Sequence, residues 1–229
     1  MKRLVLGLVA LVVGLTAVVG IAHTEMGRPL LAYMPWGNAI KGVCPLGYDA
    51  PKTAHARAAA ERQFATLHRG EFPAAARPAL GFKLQSATAS DVQTWAKAKG
   101  VTCREPRSGH DLECVQVPAR ALPAPDDGTA VQSLWLDFGP DKTLTSVIAL
   151  RRHKQAGPIA ATFANINATL AEAAGQPSQQ SGQGSVSELQ KGLLRQASVE
   201  YRFSDYYALT RATNMAGGFL LTEEYHALN

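Results

Sequence analysis

The chain has 229 residues, 46% hydrophobic and 18% charged, enough to bury a sizeable core and too apolar for a disordered chain. Its net charge of +5 comes from scattered Lys and Arg, with clusters as short as Arg151-Arg152-His153-Lys154. No basic face and no basic–aromatic interleaving accompanies that charge, so nucleic acid is set aside as a partner.

Lys2 and Arg3 precede an uncharged apolar run from Leu4 to Ala22. As a helix this run would reach about 28 Å, close to the hydrocarbon thickness of a bilayer. Two readings fit residues 1–22. One is a signal peptide cut after Ala22, with Gly20 and Ala22 as the small residues of the cleavage site. The other is a retained signal anchor, favoured by the length of the run and by Tyr33 and Trp36 soon after it. Both keep Lys2 and Arg3 in the cytoplasm and export the remainder. The expected localisation is the bacterial inner membrane, single pass with the body in the periplasm, or free in the periplasm or medium if cleaved. The membrane is thus one expected partner, and the cysteines face an oxidising compartment.

Residues 23–81 read as a stalk, an Ala-rich helix ending at Gly70, and a Pro/Ala linker. Ala56, Ala59, Ala60, Phe64 and Leu67 give that helix a shallow apolar stripe. The body spans 82–229. FKLQSA suggests a short strand, and Thr88 or Ser90 caps a helix through DVQTWAKAK that Gly100 ends. VTCREP and LECVQV then form strands around an Arg-Ser-Gly-His turn. SLWLDFG and LTSVIALRR follow as strands joined at Pro140-Asp141-Lys142. Ile159, Phe163, Ile166 and Leu170 mark a second helix ending at Gly175. QPSQQSGQGSVSE reads as a mobile low-complexity loop. ASVEYRFSD, YYALTRAT and GFLLTEEYHAL close the chain as strands.

The order is helix then strands, twice over, with halves at 82–155 and 156–229. That order predicts an α+β fold, an antiparallel sheet with helices on one face. The run TASDVQTWAKAKGVTC, the cysteine at 114 and SLWLDFGPDKTL together resemble a known repeat. It is the helix-plus-hairpin unit of β-lactamase-inhibitory proteins and small outer-membrane assembly lipoproteins, matched over residues 84–150. The second half lacks the cysteines. The resemblance implies a binding or scaffolding module, and it carries over no inhibitory residue.

Cys103 and Cys114 raise three chemistries. Zinc needs four ligands, usually in closely spaced pairs, and here only His110 stands nearby. A redox pair would be C-x-x-C. If Ser108 and Gly109 are the turn residues, 103 and 114 fall opposite across a hairpin, within disulfide reach. A disulfide is therefore expected. Cys44 is left over, as an unpaired thiol or as a partner for another chain. Ser108, His110 and Asp111 spell a hydrolase triad, but strand neighbours point to opposite faces. Asp137-Phe138-Gly139 reads as a strand end, since no phosphate loop accompanies it. Glu223 and Glu224 splay apart. Tyr201, Arg202, Asp205, Tyr206, Tyr207 and Tyr225 form the densest polar-aromatic group, a candidate interface if it faces outward. No catalytic, cofactor or metal residue is assigned. The expected function is a non-enzymatic envelope module that binds another envelope protein. The alternatives are an extracytoplasmic enzyme with a site assembled from distant residues, or an accessory subunit of a membrane complex.

Overall fold

The computed structural model describes residues 54–105, 111–124 and 128–228. The apolar run 4–22, Cys44 and the turn at Ser108–His110 lie outside them. Among the described residues no helix is long and apolar enough to cross a membrane.

The elements in chain order begin with α1 (Ala54–His68), α2 (Ala89–Lys99), β1 (Thr102–Arg104) and β2 (Leu112–Val117). A short 3-10 turn (Ala119–Ala121) leads to β3 (Val131–Phe138) and β4 (Leu144–His153). The second half holds α3 (Ala156–Ala173), β5 (Gln179–Ser181), α4 (Val186–Leu189), β6 (Gln196–Arg202), β7 (Tyr206–Met215) and β8 (Gly218–Ala227). All eight strands join one antiparallel sheet in the order β1-β2-β3-β4-β8-β7-β6-β5. Each half is thus a helix and a four-strand meander, and the last strands of the halves pair at the centre.

Local sequence accounts for most of these boundaries. Thr88 accepts from the Asp91 backbone N–H while Asp91 accepts from the Thr88 N–H, a capping box that starts α2. Gly100 closes it in the left-handed conformation, at φ 66°. Val92 and Ala96 face inward, and the Trp95 indole donates to Ala121 O at 2.9 Å.

The main core lies on one face of the sheet. Leu134, Leu136, Val147 and Leu221 of the sheet share one core with Ile159, Phe163, Ile166 and Leu170 of α3, which lies over β4, β8 and β7. Each such side chain contributes about 1.5–3 kcal/mol on burial. Helix α2 covers the same face near β1. Helix α1 does not. It packs on the reverse face, where Phe64 and Ala65 meet Tyr207, Leu209 and Leu228. Helices α2 and α3 of the 82–229 body thus share one face, and α1, which precedes that body, covers the other. The cause is visible in β7, whose Tyr206, Tyr207, Ala208 and Leu209 are all buried, so this strand end is apolar on both faces.

Two further expectations change. Residues 82–87 form no strand. Phe82 and Leu84 are buried core residues on an irregular segment, and Gln85 turns at φ 60°. The expected loop at 176–188 contains β5 and the start of α4, because Gln179–Ser181 pair with Ser198–Glu200. The Pro/Ala linker is also tied to the body, through Ala74 N–H to Asp205 (2.9 Å) and Tyr206 OH to Pro78 O.

Candidate binding face

Cys103 and Cys114 are directly paired in the β1–β2 register and joined by a disulfide, with Cα atoms 3.9 Å apart. Cys114 is fully buried on the core face, so the link fixes the short edge strand β1 to the sheet.

The tyrosine group does not form an outward patch. Tyr201, Tyr206 and Tyr225 point into the main core and Tyr207 into the smaller one, each at most 3% exposed. Strand alternation explains the split, since Tyr206 and Tyr207 are neighbours. Tyr201 OH donates to Asn167 O of α3 at 3.0 Å, and Thr210 donates to the Asn167 side chain at 2.8 Å. Burial pushes the Tyr206 and Tyr225 hydroxyls well above the ordinary phenol range. Tyr207 is raised by burial, then by the nearby Glu200 and Glu224 carboxylates, with Arg202 opposing. Arg202 itself is half-buried and donates to Glu200 at 3.0 Å. The four predicted interface tyrosines therefore sit in the two cores, while Arg202 keeps partial exposure.

A feature that the sequence reading did not single out lies on the central seam. Arg151 of β4 and Glu223 of β8 are both wholly buried, with Nε to Oε1 at 2.6 Å. Arg151 Nη1 also donates to Thr129 O at 2.7 Å, and Tyr225 OH donates to Glu223 Oε2 at 2.8 Å. The signal was present. Val147, Ala149 and Arg151 share one phase of β4, which marks Arg151 as an inward cation within an outwardly basic run. Glu223 and Glu224 do point to opposite faces, as their adjacency dictates.

Under α1 the reverse face gathers His68, His226, Phe64 and Tyr207. Phe64 lies 4.4 Å from each histidine ring, and Phe64 and Tyr207 meet edge-to-face at 5.3 Å. His68 Nδ1 is 3.5 Å from Glu200 and His226 Nε2 is 3.8 Å from Glu224. This cluster is closed over by the helix.

Away from α1, the reverse face presents a ladder of register neighbours: Glu113, Trp135, Ile148 and Glu224, then Ser133, Leu150, Thr222 and Arg211. Trp135, Ile148, Leu150 and Leu220 are half-buried and belong to neither core. Glu113, Glu224 and Arg211 frame these apolar side chains with charges of both signs.

On the opposite side, a shallow groove of about 320 Å³ is lined by Phe82, Val92, Trp95 and Pro123, with Lys83 and Asp91 at its edge. Asp91 is engaged in capping α2, which holds its carboxyl below the usual range through bonds from Thr88. No group of three or more metal-ligating side chains occurs among the described residues. The chain matches no family model, no curated protein and no solved structure.

Proposed function

We propose that the protein is an extracytoplasmic binding module of the bacterial envelope, held at the inner membrane by residues 4–22, that grips a partner protein on the reverse face of its sheet. The observation that carries this reading is the strip of Ile148, Leu150 and Leu220, apolar yet outside both cores. Helix α3 and the disulfide support the strip from behind, so a partner would meet a preorganised surface. The resemblance over residues 84–150 points the same way. The polar clusters found elsewhere are spent on packing, as with Glu223 and Tyr225, or lie beneath α1.

The test is photo-crosslinking in intact cells with a benzophenone residue at position 148 or 150, and at Thr94 on the exposed side of α2 as the control. A discrete crosslinked protein is expected from the two sheet positions alone, and Ile148→Asp should abolish its co-purification. Crosslinking absent at 148 and 150, or equal at Thr94, would refute the reading.

A further inference from the structure

The loop between α4 and β6 reads Lys191-Gly192-Leu193-Leu194-Arg195, and its two leucines are 64% and 66% exposed. The tip is held firmly. Leu194 N–H donates to Asn214 O and Asn214 N–H to Arg195 O, both at 2.8 Å. The Asn214 amide also donates to Leu189 O at 2.9 Å and Gly192 O at 3.0 Å. Leu194 sits at φ 61°, a left-handed conformation that favours Gly or Asn. A branched apolar residue there is strained and also forgoes burial. The fold itself gains little burial from this side chain.

Charge surrounds this tip on one end of the sheet. The β7–β8 turn next to Asn214 abuts β4, since a Cβ on Gly218 would lie 2.7 Å from His153 O. Arg152 and Lys154 thus share this end with Lys191 and Arg195. Glu188, which pairs with Lys191, is the acidic residue among 151–155, 186–195 and 213–218.

We propose that this end of the sheet is a contact for an anionic lipid bilayer. Leu193 and Leu194 enter the interfacial layer, and Arg195, Arg152 and Lys154 lie against the phosphate headgroups. Apolar side chains combined with cations bind such surfaces by burial and electrostatic attraction together. A bilayer suits a projecting leucine pair better than a protein does. A protein would need an apolar socket rimmed with carboxylates, whereas lipid offers both properties without a matching shape. Arg152 is the register neighbour of Leu220 on the sheet face assigned to the partner protein, so the two contacts adjoin there, and the leucine tip is what distinguishes the lipid contact.

The test uses the full chain carrying Cys44→Ser and Leu193→Cys, labelled with a nitrobenzoxadiazole dye, with Cys103 and Cys114 protected in their disulfide. Phe72→Cys is the control, 73% exposed and hydrogen-bonded to Ser204 beside the β6–β7 turn, at the other end of β7. Each protein is reconstituted into phosphatidylcholine vesicles, or vesicles with about one-third phosphatidylglycerol. Doxyl lipids should quench the dye at 193 in anionic vesicles and leave the dye at 72 unaffected. Arg195→Gln should lower the ratio of docked to undocked tips about fivefold. A dye at 193 that is unquenched in both vesicles overturns the proposal and assigns the leucines to a protein partner. Equal quenching at 193 and 72, or equal quenching in the two vesicle types, overturns it as well.

Discussion

Removing one member of the Arg151–Glu223 pair should be among the most damaging single changes in the molecule. Both side chains are 0% exposed, so Arg151→Met leaves a carboxylate in the core with Tyr225 OH as a hydrogen-bond donor. Two unit charges about 4 Å apart at an effective dielectric of ~20 attract by about 4 kcal/mol. Breaking a buried pair on one side is known to destabilise by about 3–5 kcal/mol, which agrees. Arg151→Met and Glu223→Gln should therefore each lower the unfolding free energy by that amount. The double variant should lose far less than their sum, since neither charge is then stranded. Urea denaturation of the four proteins, read by tryptophan fluorescence and circular dichroism, measures this directly. Unchanged m-values would place the effect in stability rather than in the denatured state. Single losses below about 1 kcal/mol, or additivity to within ~0.5 kcal/mol, would refute the reasoning.

Reduction of Cys103–Cys114, which are 11 residues apart, should destabilise the body by about 3 kcal/mol, measured by denaturation with and without reductant. Non-reducing peptide mapping should recover the linked pair, and two free thiols in exported protein would remove the staple. The phenols of Tyr206 and Tyr225 are raised in the fold, so the native state keeps protons that the unfolded chain releases above about pH 10. Stability is complete below that pH and falls as the pH climbs toward the folded values, and phenolate absorbance should rise only with unfolding. A normal, reversible titration of all six tyrosines near pH 10 would contradict the burial of Tyr206 and Tyr225. Gly70→Ala would set a Cβ 2.2 Å from Arg202 O, so the end of α1 must lift from the sheet. Faster amide exchange across residues 58–72 should report it, and unchanged protection would show that the contact is soft. Thr88→Ala removes the side chain that caps α2 and should cost about 1 kcal/mol in the same denaturation assay.

The sequence carried the parts of the fold that local chemistry dictates. Thr88, Asp91 and Gly100 bracket α2, the run Ile159–Phe163–Ile166–Leu170 sets α3, and Cys103 opposite Cys114 follows from counting across a two-residue turn. Decisions that depend on distant residues were not legible. Whether Tyr201 or Tyr225 faces water depends on where α3 lies, and Tyr207 is covered by a helix more than a hundred positions earlier. Strand phase marks Arg151 as an inward cation but does not name its partner, since Glu223 is 72 residues away in an acidic pair with nothing unusual about it. The proposed binding strip was least legible of all. Ile148 and Leu150 alternate with buried neighbours, and periodicity alone does not tell an inner face from an outer one.

The central ladder also bears on how the chain reaches this state. β1–β2, β2–β3, β3–β4, β6–β7 and β7–β8 are pairs of strands consecutive in sequence, whereas β4–β8 joins residues such as Arg151 and Leu221. Loop-closure entropy makes such a distant pairing the expected slow step, after the local hairpins of each meander. The two buried charges lie on that ladder, so pairing the halves must strip the water from Arg151 and Glu223. Substitutions at this pair should then appear mainly in the unfolding rate, if the charges engage after the transition state, and the chevron arms of the four proteins would display the order of events.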